Sequence, residues 1–81
     1  MRVNILLFGP LSQAASSVAV SLDVQGETTT AGEVLQALRA TPWFPPHLRA
    51  CRLAVNHAFA DDATPIRASD EVALIGMVSG G

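Results

Sequence analysis

Residues 71–78 read Glu71-Val72-Ala73-Leu74-Ile75-Gly76-Met77-Val78. Successive side chains of a strand point to opposite faces, so a strand buried on one side alternates apolar and polar residues. Here both parities are apolar: Val72, Leu74 and Val78 on one, Ala73, Ile75 and Met77 on the other. Residues 2–8, RVNILLF, behave similarly, with Val3, Ile5 and Leu7 set against Leu6 and Phe8. The two most hydrophobic strands thus lie at the two ends of the chain. They are expected to be central, adjacent and, with a helix between them in sequence, parallel.

The rest of the chain fills in around this pair. Residues 18–24 alternate cleanly, Val18, Val20, Leu22 and Val24 against Ala19, Ser21 and Asp23, which predicts a half-buried strand. Gly9-Pro10 reads as a break, and the nine residues 9–17 read as a loose loop joining two antiparallel strands. Thr30-Ala31-Gly32-Glu33 has the spacing of a capping box. Ala31, Val34, Leu35 and Leu38 then share one helical face, and Thr41-Pro42 ends the helix. Residues 42–48 hold three prolines and form a rigid loop, with Trp43 and Phe44 as a lid over the core; a peptide-binding groove is the alternative use of that pair. Residues 51–55 predict a strand that turns at Asn56-His57 into a short strand at Ala58-Phe59. Asp61-Asp62 and Ser69-Asp70 read as turns, with Pro65-Ile66 leading into the second. One apolar helix stripe covers one sheet face. The fold class is α+β, a mixed sheet packed on one main helix in the β-grasp arrangement, with the domain at 1–78 and a C-terminal tail at 79–81.

Composition removes several functions. The chain has 81 residues, 49 % hydrophobic and 15 % charged, enough apolar material for one ordered domain and too little volume for a deep pocket. Its net charge of -2 opposes nucleic acid and anionic membrane as partners. All five basic residues are arginine (Arg2, Arg39, Arg49, Arg52, Arg67), and lysine is absent. One cysteine excludes an internal disulfide, and His47, Cys51 and His57 have no metal-site spacing, so no metal is expected. Cys51 reads as a small packed residue, His47 as solvated and His57 as a turn residue. The apolar run Val3–Phe8 is too short for a secretory signal or a membrane span, and a cytoplasmic location is expected.

Two features point outward. One helix covers one sheet face, yet Leu6, Phe8, Ile75 and Met77 supply apolar residues to the other. An exposed apolar patch on a small domain marks a partner interface. The chain also ends in Ser79-Gly80-Gly81 straight after the strand expected to be central. Without side chains, glycines thread narrow channels, and residues 76–81 reach about 20 Å at full stretch. A terminal carboxylate is inert until it becomes a mixed anhydride with phosphate, after which a sulfur nucleophile can displace the leaving group. The sequence has no phosphate-binding loop and no nucleophile–base pair for those steps. The machinery therefore belongs to another protein, and this chain is the carried group.

The segments RVNILLFG, TTAGEVLQALRA, LAVNHAF and SDEVALIGMVSGG together resemble the small, sulfur-carrier subunit of molybdopterin synthase, a ubiquitin-like β-grasp family. The resemblance implies that the Gly81 carboxylate is adenylated by an ATP-consuming activating enzyme and converted to a thiocarboxylate. It implies that Gly80 is the flexible residue before it, and that Val78 and Ser79 lie at the mouth of a channel in a large catalytic synthase subunit, where sulfur passes to a pterin precursor. No cofactor is bound by the carrier itself. Two positions depart from the pattern: Gly76-Met77 stands where a Pro-Pro pair is common, and Leu11-Ser12-Gln13 where an Arg-Glu pair is common. The first implies a looser tail base. Both leave open sulfur carriers of other pathways (thiamine thiazole, cysteine or tRNA thiolation), and a ubiquitin-like protein modifier is a further alternative.

Overall fold

A computed structural model describes residues 1–46, 48 and 50–76. The elements run β1 (Arg2–Leu7), α1 (Pro10–Ala15), β2 (Ala19–Asp23), β3 (Thr28–Thr30), α2 (Ala31–Arg39), β4 (Cys51–Val55), β5 (Ala58–Phe59), β6 (Pro65–Arg67) and β7 (Val72–Gly76). Five strands form the main sheet in the order β2-β1-β7-β4-β5, and β3 pairs with β6 in a second, two-stranded sheet. The strands at the two ends of the sequence are adjacent and parallel, with Ile5 beside Val72 and Leu7 beside Leu74. β7 occupies the middle of the main sheet. The helix between β1 and β7 supplies the crossover that a parallel pair requires.

α2 follows from its sequence. The Thr30 hydroxyl accepts from the Glu33 N–H at 3.3 Å, which satisfies one of the orphan donors of the first turn. Glu33 does not close the expected box; its carboxylate accepts instead from the Thr29 hydroxyl at 3.0 Å. The Ala31 and Gly32 N–H groups are taken by the carbonyls of Thr64 and Asp62, which tie the helix start to the 61–64 turn. Val34 and Leu38 are fully buried against the sheet face formed by Val3, Ile5, Leu7, Leu53, Val72 and Leu74. Each such side chain withdrawn from water contributes about 1.5–3 kcal/mol.

Two expectations change, and one holds. Residues 9–17 are not a loose loop but contain α1. Proline at the first helical position loses nothing, since that N–H is unpaired in any helix. Gly9 takes φ 54° before it, and the helix is held by its buried residue, Leu11. Pro65-Ile66, expected to lead into a turn, belong to β6 and pair with β3, a stretch given no strand in the sequence reading, with Thr29 opposite Ile66. Both of those side chains are buried. The 42–46 segment keeps its aromatic residues for the core. Phe44 is 8 % exposed, Trp43 packs on the cluster beside it, and the Arg39 guanidinium lies 5.5 Å from the Phe44 ring centre.

Candidate functional site

The registers lay out the sheet face opposite α2 residue by residue. Leu6 pairs with Ala19 and Ala73, Ala73 with Ala54, and Ala54 with Phe59. One row therefore crosses the sheet as Ala19-Leu6-Ala73-Ala54-Phe59, with Leu6 and Phe59 standing on either side of an alanine floor. Ile75 sits in the next row opposite Arg52. The result is an open depression of about 250 Å³ bordered by Leu6, Phe8, Ala54, Ala73, Ile75, His57 and Glu71. Phe8 and Phe59 are each 55 % exposed, far above the core residues of the opposite face. The Arg52 guanidinium lies 4.8 Å from the Phe59 ring centre, a cation–π arrangement that keeps both side chains at the corner of this face.

One rim is built from a tight turn. Asn56 and His57 both have positive φ, 51° and 71°, as the two-residue connection between β4 and β5 requires. Asparagine suits that turn and also clamps it: its side-chain N–H donates to Asp70 Oδ1 at 3.1 Å and its Oδ1 accepts from the Glu71 N–H at 3.0 Å. Asp70 Oδ2 accepts from the Arg67 N–H at 2.8 Å. That backbone bond, with the Asn56 bond second, holds the Asp70 carboxyl below its ordinary value of 3.8. The clamp places Glu71 so that its Oε2 meets His57 Nε2 at 2.6 Å.

Leu6, Phe8 and Ile75, expected as interface residues, do share this face. Met77, the fourth, and the tail residues Val78, Ser79, Gly80 and Gly81 lie outside the described residues. Phe59 and Arg52 also stand at this face and were not singled out from the sequence. A two-residue strand has no periodicity of its own, but the two-residue turn at 56–57 fixes Phe59 opposite Ala54 and so on the outer face. Cys51 is buried, with its sulfur 3.2 Å from Arg39 Nη2. Beyond it lies a larger open hollow of about 530 Å³ between α2 and residues 60–63. Among the described residues no cluster of His, Cys, Asp and Glu could hold a metal ion.

A family model described as the ThiS family matches residues 5–81. The chain belongs to the ThiS family. Its match to SAMP1 from Haloferax volcanii covers all of both chains at 30 % identity and TM-score 0.79. Subunits 1 and 2 of molybdopterin-converting factor from Helicobacter pylori form a complex whose matching chain is 23 % identical, again over the whole of both chains, at TM-score 0.67. The thiamine biosynthesis protein ThiS from Geobacter metallireducens is 18 % identical over 98 % of this chain and 100 % of its own, at TM-score 0.54. No curated protein matches the sequence. The ThiS-family assignment and these neighbours make the chain a small β-grasp protein of the ubiquitin-like sulfur-carrier type. Among the described residues no helix is long and apolar enough to cross a membrane.

Proposed function

We propose that this ThiS-family chain carries sulfur as a thiocarboxylate on Gly81 and donates it to a pterin precursor in molybdopterin biosynthesis, as the non-catalytic subunit of a synthase. The observation that carries the reading is the reach of the family match: it runs through residue 81 and so takes in the Gly80-Gly81 end. In the first step a carboxylate oxygen of Gly81 attacks the α-phosphorus of ATP on an activating enzyme, and pyrophosphate leaves. A sulfur nucleophile then attacks the acyl carbon; the C–S bond forms, the C–O bond breaks, and AMP departs with the electron pair. The chain's own part is to present the acyl group on Val78–Gly81 and to dock through Leu6, Phe8, Ile75 and Met77, with Phe59 added to that surface. The H. pylori complex of two subunits supports a large catalytic partner as the acceptor.

A second reading is favoured by one observation. The SAMP1 match, at 30 % identity, is to a small archaeal modifier protein, and a modifier would join its terminal glycine to lysines of other proteins. Both readings share the first step. ATP–pyrophosphate exchange catalysed by the activating enzyme is expected to depend on this chain and to vanish when Gly81 is deleted or followed by one more residue. Exchange that persists with either variant would refute both readings. Once exchange is established, transfer of sulfur to the pterin precursor without protein adducts supports the carrier, and isopeptide-linked adducts support the modifier.

A further inference from the structure

We propose that the hollow between α2 and the free edge of β4 receives an extended segment of a partner protein, in which a lysine or arginine adjoins an aliphatic residue. The two edges of the main sheet differ. In β2 the Leu7 N–H goes to the Val18 carbonyl and the Val24 N–H to the Met1 carbonyl, so Ala19, Ser21 and Asp23 turn their backbone groups outward. The first of these is blunted. The Ser17 hydroxyl donates to the Ala19 carbonyl at 2.6 Å and accepts from the Ala19 N–H at 3.3 Å, which discourages a further strand at that end.

The β4 edge is left open. The Asn56 N–H donates to the Glu71 carbonyl at 2.7 Å and the Ala60 N–H to the Leu53 carbonyl at 2.9 Å, so Cys51, Leu53 and Val55 turn their backbone groups away from β7. β5 pairs only with Ala54 and Val55, and past Ala60 the chain leaves the sheet through Asp61 and Asp62. Among the described residues no strand stands beside Cys51 on this side. The hollow lies where that strand is missing. It measures about 530 Å³ and is bounded by Ala31 and Leu35 of α2, Cys51 and Leu53 of β4, and residues 60–63.

Its walls suit one kind of occupant. On the apolar face of α2, Ala31, Val34 and Leu38 are buried, while Leu35 is only half-buried. Cross-strand neighbours share a face, so a residue paired with Cys51 points its side chain toward Leu35 and covers it; an aliphatic group fits there. The facing wall is fixed. The Gly32 N–H donates to the Asp62 carbonyl at 3.0 Å, and a Cβ at Gly32 would come 3.0 Å from the Asp62 Cβ. Glycine at 32 therefore lets the 61–64 turn stand this close to α2. The Asp61 carboxylate is used within the turn, accepting from the Ala63 N–H and the Thr64 hydroxyl. The Asp62 carboxylate is exposed and has no partner among the described residues. A segment lying in line with β5 has its near end against Asp62, which favours a cationic side chain at that position. Main-chain bonds to Cys51 supply affinity, and Leu35 and Asp62 supply selectivity.

The test uses the full chain and no activating enzyme, so its outcome is independent of the carrier reading. Random heptapeptides displayed on phage are selected against the wild-type chain, with Asp62→Lys and Leu35→Gln chains as counter-targets. The expected consensus places lysine or arginine one or two positions from valine, isoleucine or leucine. A synthetic peptide of that consensus is expected to shift the amide resonances of Cys51, Leu35 and Asp62, and to bind each variant at least about fivefold more weakly than wild type. Asp62 is exposed, so Asp62→Lys keeps the comparison valid if Leu35→Gln fails to fold. Enrichment no greater than on Asp62→Lys, a consensus without a basic residue, or resonance shifts at Leu6, Phe8 and Phe59 instead would each overturn the proposal.

Discussion

Truncating Phe8 separates the outer sheet face from the core. A phenylalanine side chain covers roughly 200 Å², and Phe8 leaves 55 % of its surface open. A partner that covers the open part removes about 110 Å² of apolar area from water, worth about 2.7 kcal/mol at 25 cal per Å². Phe8→Ala is then expected to weaken the complex with the activating enzyme or acceptor subunit by roughly 50- to 100-fold. The cost to the fold is smaller. Phe8 lies just past the end of β1, and the truncated residue retains its backbone, so a loss of about 1 kcal/mol is expected. A domain of this length has about 4–12 kcal/mol of stability, so the variant stays folded. Calorimetric titration reads the first quantity and urea unfolding the second. Affinity within twofold of wild type, in a folded Phe8→Ala chain, would refute the assignment of this face as the docking surface.

Other expectations concern the scaffold. Ile5→Ala, at a residue with no exposure, should lose about 2–5 kcal/mol in urea unfolding, against the small loss at Phe8; equal losses would mean that the two faces are not distinguished. Thr30→Ala removes the oxygen that accepts from the Glu33 N–H and should cost about 1 kcal/mol, read as a lower urea midpoint with an unchanged slope. Asp70 is held below its ordinary value of 3.8, so it binds a proton more readily in the unfolded chain. Its stabilisation is present above the unfolded value and is lost as pH falls through the folded one. Asp70→Asn should therefore flatten the decline of stability below about pH 4, measured by thermal unfolding across that range; an unchanged acid limb would contradict the Asp70 bonds described above.

Much of the fold was legible because hydrophobic periodicity carried it. Two parities of apolar residues in 2–8 and 71–78 placed β1 and β7 side by side at the centre, and alternation gave β2 outright. The Thr30 cap and the stripe through Val34 and Leu38 gave α2. What stayed hidden depends on contacts distant in sequence. Thr28–Thr30 and Pro65–Arg67 are too short for a period, and they become strands by pairing across more than thirty residues. Gly9-Pro10 looks like a stop, while proline is equally a start, and only the burial of Leu11 decides between them. At the candidate site the parity of Leu6, Phe8 and Ile75 was readable. Phe59 and Arg52 enter through the hairpin register and their mutual stacking, and the His57–Glu71 pair through the Asn56 clamp.

The central claim is chemical: the terminal carboxyl oxygen of Gly81 is exchanged for sulfur. The most direct measurement is the intact mass of the chain, with fragmentation of its C-terminal peptide, after incubation with the activating enzyme, ATP and a sulfur donor. The account predicts a mass gain equal to sulfur replacing one oxygen, confined to Gly81, dependent on ATP, and absent from a chain ending at Gly80. Sulfur found on Cys51 instead, or an unmodified Gly81 in a preparation whose ATP is being turned over to AMP, would contradict it.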